Sequence, residues 1–178
     1  PNKIEPITSS ISANTWYHVA VSRTSGTLQI FLNGVSEYSA TDTTSFTCLS
    51  NYPLIGGSTN MNGHLSNVRI VNGTGLYTTN FTPSTTPLTA VANTQLLTCQ
   101  SATIVDNSSN NFTLTVVGDT KPKPFNPFGQ TITKGVAYNP SVHSGSLYLD
   151  GTGDYLTAPN STSFDLSTGQ WTIECRSE

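Results

Sequence analysis

The chain has 178 residues, a formal net charge of −3 and 10% charged side chains, which excludes the basic surface typical of nucleic-acid-binding proteins. It contains 29 Thr, 22 Ser and 16 Asn residues, and this argues against a helical protein because Thr favours strands whereas Ser and Asn favour turns. No run approaches the roughly 20 apolar residues of a membrane span, so we expect neither a nucleic-acid partner nor membrane insertion.

The chain begins with a predicted meander of three strands. Residues 16–23, WYHVAVSR, alternate in the manner of a half-buried strand, and residues 28–33 do the same. Asn33 and Gly34 supply the left-handed backbone conformations of a tight turn, and a third strand follows them.

Further short strands are predicted between residues 53 and 91. PLIGGS at 53–58 indicates a short buried strand that ends in a glycine pair, and LSNVRIV at 65–71 alternates again. Residues 72–91 are rich in Gly, Pro and Thr. We expect an irregular segment there, held on the sandwich by the rings of Tyr77 and Phe81.

The C-terminal half contains a second set of predicted strands. Residues 95–99 and 111–117 are predicted to form a strand pair, and the proline-rich stretch KPKPFNPFGQ at 121–130 indicates a linker. Residues 145–159 are predicted to form a hairpin, and residues 164–175 a turn and a strand. Ten to twelve short strands without a helix predict an all-β fold, an antiparallel two-sheet sandwich of the jelly-roll kind.

Three pieces of the sequence carry a family resemblance: NTWYHVAVSRTSGTLQIFLNGV at 14–35, IGGSTNMNGHLSNVRIVNGTGLYTTNFTPSTTPL at 55–88, and GSLYLDGTGDYLTAPNSTSFDLSTGQWTIE at 145–174. They resemble laminin G-like modules of the concanavalin A-like lectin/glucanase superfamily. The phrase around Leu76, Tyr77 and Phe81 is most similar to modules in structural proteins of bacterial viruses and in microbial surface proteins. The resemblance implies a concanavalin A-like sandwich.

The order of these pieces is unusual, because in such modules the piece at 145–174 comes first. The module is therefore either circularly permuted or strand-swapped, or the chain joins the end of one repeat to the start of the next. We therefore divide the chain into four parts. Residues 1–91 are the C-terminal part of a sandwich, residues 92–120 are a connecting strand pair, residues 121–142 are a linker, and residues 143–178 are the N-terminal part of a sandwich. The last part either completes residues 1–91 or starts the next repeat; we favour completion within the chain.

The cysteines, Cys48, Cys99 and Cys175, are single and widely spaced. Without a Cys-x-x-Cys pair a structural zinc site is not expected, and we predict buried, reduced side chains.

No catalytic site is predicted. The resemblance implies that a glucanase would carry a Glu-x-Asp-x-x-Glu strand, but Glu174 and Glu178 have no Asp between them. His18, His64 and His143 are not accompanied by a Gly-x-Ser-x-Gly motif, and His18 is expected to be a packed side chain. The sequence therefore predicts a protein that is not an enzyme.

Calcium is the one cofactor that the sequence leaves open. The resemblance implies a calcium site at a loop rim, and Asp150 and Asp154 offer two hard oxygen ligands on one turn. The alternative is that both carboxylates cap the turn by accepting hydrogen bonds from backbone amides.

The aromatic candidates for ligand binding are Trp16, Tyr38, Tyr52 and Tyr77, since a sugar ring stacks on an aromatic face; core packing explains Trp16 and Tyr77 equally well. His64 follows a glycine turn and is a further candidate for the rim of a ligand site; the alternative, which we favour, is a solvated loop histidine. We expect a recognition or adhesion module of a virion or a cell surface that contacts a surface glycan or polymer. The alternative is a structural subunit or decoration repeat of a capsid, tail or appendage, whose partners are identical copies or other virion proteins.

Overall fold

The structure is a computed structural model that describes residues 9–47, 53–57, 59–129 and 144–178, without the side chains of residues 59 and 60. Cys48, Tyr52 and His143 lie outside the described residues, as do residues 130–142 of the predicted linker.

The described residues form eleven strands, one short 3-10 turn and no α-helix. The strands are β1 (Tyr17–Thr24), β2 (Thr27–Leu32), β3 (Val35–Thr41), β4 (Leu54–Ile55), β5 (Thr59–Asn72), β6 (Thr94–Thr98), β7 (Thr115–Val117), β8 (Lys121–Lys123), β9 (Ser146–Thr152), β10 (Tyr155–Thr157) and β11 (Trp171–Ser177). The 3-10 turn, Thr162–Phe164, lies between β10 and β11. In this part of the chain no helix is long and apolar enough to cross a bilayer.

The large sheet has the order β3-β2-β1-β11-β5-β9-β8, and all of its strand pairs are antiparallel. The 14-residue strand β5 pairs with β11 along one edge, and with β9 and then β6 along the other. β11 therefore lies between β1 and β5, so the last strand of the chain joins two strands of its first half. The domain boundaries themselves stay a prediction.

The small sheet has the order β4-β10-β7 and packs on one face of the large sheet. Leu65, Leu147 and Leu149 of the large sheet share the core with Leu156 of the small sheet and with Phe164 of the 3-10 turn. This arrangement confirms the predicted fold class, an antiparallel two-sheet β-sandwich.

Two connections differ from the sequence-based prediction. The strands predicted as one pair are β6, which pairs with β5, and β7, which pairs with β10. The predicted hairpin is also wrong, because β9 belongs to the large sheet and β10 to the small one. In both cases the chain passes from the large sheet to the small one. The apolar side chains of the two successive strands therefore face one another across the core.

The first residues of the predicted linker are also in a sheet. Residues 121–123 form the edge strand β8, which pairs with β9. Pro122 is tolerated because it lies in an edge strand, where one side of the backbone has no partner strand.

The core-facing cysteines are free thiols. Cys99 is buried and Cys175 is partly buried. Burial raises the pKa of Cys99 to about 12 and that of Cys175 to about 11, so both remain protonated at neutral pH. For these two residues the predicted reduced state is confirmed.

The face of the large sheet opposite the small sheet, called the outer face, is partly covered by residues 73–91, called the strap. The strap has no regular secondary structure. Tyr77 and Phe81 stack on each other with ring centroids 3.7 Å apart, and both contact Phe31. The predicted irregular segment held by two rings is confirmed.

Candidate functional site

His64 and Tyr148 are placed side by side on the outer face by the pairing of β5 with β9. His64 is directly opposite Tyr148 in the register, and the adjacent pair Leu65 and Leu147 enters the core. Because successive side chains of a strand point to opposite faces, burial of the two leucines directs the two rings outward. Their centroids lie 5.2 Å apart.

Trp16 and Phe125 complete a cluster of four rings with His64 and Tyr148. Phe125 follows β8, and its ring centroid is 4.8 Å from that of His64 and 5.5 Å from that of Trp16. The Trp16 and His64 centroids are 6.2 Å apart. Phe125 is 46% exposed, so this cluster is open to solvent on one side.

These rings border a pocket of about 510 Å³, called the aromatic pocket. Its lining combines aromatic faces with two amide side chains and one carboxylate, and consists of Ala13, Asn14, Asn62, Gly63, His64, Phe125, Tyr148 and Glu178. Trp16 is not in the lining but packs behind His64 and Phe125. Its size and mixed lining are typical of small-molecule sites.

His64 is oriented by a polar contact and remains neutral at pH 7. Its Nδ1 lies 2.9 Å from Oγ of Ser146. Burial, together with the nearby charge of Lys123, holds the pKa of His64 below its usual 6.5. The Lys123 ammonium lies 5.9 Å from the Tyr148 ring centroid.

The other candidate residues from the sequence are located elsewhere. Tyr38 is on β3, four strands away from β5 in the sheet order, and is not in the pocket lining. Tyr52 lies outside the described residues.

Asp150 and Asp154 lie close to a third carboxylate, that of Asp119, which is not among the candidates from the sequence. One oxygen from each carboxylate lies within 4.8 Å of the others. Asp154 accepts hydrogen bonds from the backbone N–H groups of Asp119 and Asp150, and Asp150 accepts one from Thr152. These bonds hold the pKa of Asp154 below its usual value, the bond from Asp150 most of all. Three carboxylates could supply oxygen ligands to calcium, but the contacts present are those of turn capping.

A family comparison covers the first part of this framework. Residues 3–75 match a family model described as the concanavalin A-like lectin/glucanases superfamily. The match includes β1 to β5, and therefore Trp16 and His64 but neither Phe125 nor Tyr148. It suggests a carbohydrate-binding or structural module. Neither the curated proteins nor the solved structures that were compared with the chain gave a match.

Because the superfamily name includes glucanases, the buried Glu174 matters for the question of catalysis. Glu174 is 1% exposed and lies on β11 beneath the strap. Its Oε2 is 2.9 Å from His18 Nε2 and accepts a hydrogen bond from the Tyr77 hydroxyl at 2.8 Å. Its Oε1 accepts a bond from Arg69 Nε at 2.8 Å.

This set of contacts, called the Glu174 network, fits a structural role. Burial would raise the pKa of Glu174, but His18, Arg69 and Tyr77 together hold it below its usual value. Burial, followed by the charge of Glu174, raises the pKa of Tyr77. A glycosidase needs a carboxyl that exchanges a proton with substrate, whereas both Glu174 oxygens are occupied by partners from the protein.

Two of the four clustered rings, those of Trp16 and His64, are candidates from the sequence. Tyr148 alternates with Leu147 and Leu149, so the pattern does place it opposite the core, but nothing in the pattern shows that its neighbour is His64. Phe125 lies in the predicted linker, because prolines surround it. Only the pairing of β8 with β9 brings it to the pocket.

Proposed function

We propose that the protein is a non-enzymatic carbohydrate-recognition module that binds a sugar in the aromatic pocket. The observation that carries the proposal is the meeting of Phe125 and Tyr148 with the amides of Asn14 and Asn62 in one pocket. The C–H face of a pyranose packs against an aromatic ring, and amides exchange hydrogen bonds with its hydroxyl groups. The family match of residues 3–75 supports a module of this general kind.

The test is a glycan array, followed by calorimetry with the sugars that bind. Phe125→Ala and Tyr148→Ala should each weaken binding by about tenfold or more, because each removes a ring from the contact surface. Tyr148→Phe keeps the ring and should change affinity by less than about threefold.

Tyr38→Ala is the control at a distance, since Tyr38 lies on β3. We expect it to leave the sugar affinity unchanged. An array without any hit, or equal affinity of the wild type and Phe125→Ala, would show that the aromatic pocket is not a sugar site.

We extend the proposal to place this module on the outside of a virion or cell, where it would contact a surface glycan or polymer. Its partners there would be identical copies or other proteins of the virion or appendage. The family match equally suggests a structural module, which is the second candidate. Electron microscopy of the purified chain separates the two, because ordered filaments or shells without any sugar affinity would favour the structural role.

A further inference from the structure

Glu178 follows β11 and is held against the aromatic pocket by its backbone. The N–H of His64 donates to the Glu178 carbonyl at 2.9 Å, and the N–H of Glu178 donates to the His64 carbonyl at 3.0 Å. At Gly63 an added Cβ would lie 2.0 Å from the Glu178 carbonyl oxygen, so the glycine permits this close approach. The backbone of Glu178 is consequently held at the pocket, and the residue is part of its lining.

The Glu178 carboxylate has no hydrogen-bond donor among the described residues. Its Oε2 is fully covered and has no partner, while the residue as a whole is partly exposed and lines the pocket. A ligand that enters the pocket removes water from this carboxylate. Unless the ligand brings a donor, that desolvation is uncompensated and costs affinity.

Lys123 places the opposite charge beside the same rings. Its ammonium lies near Tyr148, and its charge contributes to the lowered pKa of His64. Glu178 lines the aromatic pocket whereas Lys123 does not, so an anionic ligand in the pocket would meet the carboxylate of Glu178. Like charges brought together in a partly desolvated site strongly disfavour binding.

From this geometry we infer that the aromatic pocket discriminates against acidic sugars, with Glu178 accepting a hydrogen bond from a sugar hydroxyl and repelling a sugar carboxylate. The inference rests on the proposed function. A neutral sugar meets this requirement, because its hydroxyl groups donate hydrogen bonds and carry no charge. Glu178 thus acts as a specificity-determining residue.

The test compares each neutral hexose oligosaccharide that binds on the array with its uronic-acid counterpart, by calorimetry at pH 7.5. The wild type should prefer the neutral form over the uronic acid by about tenfold or more. Glu178→Gln keeps an acceptor oxygen and removes the charge, so it should reduce the preference over the uronic acid to about threefold or less. Lys123→Gln removes a positive charge near the pocket and should not reduce this preference.

Lys121→Gln is the matched control, because Lys121 lies on the same strand but pairs with Asp119 at 2.8 Å. It should leave both affinities unchanged. Acidic sugars that bind the wild type as tightly as neutral ones would overturn the inference and leave the proposed function intact, as would an unchanged preference in Glu178→Gln. An array without hits would overturn both.

Discussion

Glu174 contacts His18, Arg69 and Tyr77 beneath the strap. Its ionisation should therefore affect the free energy of unfolding. Its pKa is below the usual 4.5 in the folded protein, so the unfolded chain binds the proton more tightly. The stabilisation is therefore complete above about pH 4.5 and is lost as the pH falls through the lower, folded pKa.

Glu174→Gln should destabilise the protein by about 3–5 kcal/mol at pH 7, since the buried Arg69 loses its counter-charge. Urea unfolding between pH 7 and pH 3 measures this. The difference in unfolding free energy between wild type and Glu174→Gln should be constant at neutral pH and shrink below about pH 4.5. A difference that is independent of pH would show that the Glu174 charge does not stabilise the fold.

At Asp154 the structure favours a prediction about calcium. Both of its oxygens accept backbone N–H groups, and these bonds join the turn at residues 118–119 to that at 150–154. Asp154→Asn should therefore lower the melting temperature in EDTA as much as in millimolar calcium. Calcium-dependent melting of the wild type that is lost in Asp154→Asn would instead support a metal site.

At the scale of elements, the strap depends on one glycine in the β2–β3 turn. Gly34 has φ +79°, and an added Cβ would lie 1.9 Å from the carbonyl oxygen of Phe81. The amide of Phe81 donates to the Gly34 carbonyl at 2.9 Å. This contact joins the turn and the strap backbone to backbone.

Gly34→Ala should destabilise the protein by about 2–4 kcal/mol, through backbone strain and displacement of the strap. Gly26 is a matched control, because it has φ +76° but no atom within 4 Å of an added Cβ. Gly26→Ala should cost only about 1 kcal/mol. Chemical denaturation measures both, and equal losses would mean that the strap moves away without cost.

Sequence alternation located most strands but not their partners. The alternation of Leu147 and Leu149, and the return through Leu156, correctly indicated β9 and β10. The turn between them resembled a hairpin because hairpins and inter-sheet crossings use the same residues, Asp and Gly. Which of the two forms depends on whether the apolar side chains pack beside or across from each other, and that is a tertiary property.

The same limit applies to the aromatic pocket. Trp16 and His64 were recognisable as candidate ligand-binding residues because each lies beside an alternating run or turn. Glu178 and Phe125 carry no local signal, since their positions follow from the pairing of β11 with β5 and of β8 with β9.

At the scale of the whole molecule, the position of β11 predicts cooperative unfolding. β11 pairs with β1 over seven residues and with β5 on its other side. A sheet joined in this way loses its central strand if residues 144–178 unfold. The two halves of the chain should therefore unfold together rather than as separate units.

Tryptophan fluorescence and far-UV circular dichroism test this during urea unfolding. Trp16 lies beside the aromatic pocket, and Trp171 is in the core. Both probes should give one transition with the same midpoint. Two separated transitions would indicate that residues 144–178 belong to a second, independently stable unit.

The place of β11 also has a consequence during synthesis on the ribosome. β5 ends about 100 residues before β11 begins, and β1 ends about 150 residues before it. Until β11 has been synthesised, both strands have an unpaired edge. Such edges can pair with each other in a wrong register or with a neighbouring nascent chain. Folding of the large sheet should therefore be slow and should be completed only after β11 has been synthesised, as expected when most stabilising contacts join distant parts of a chain.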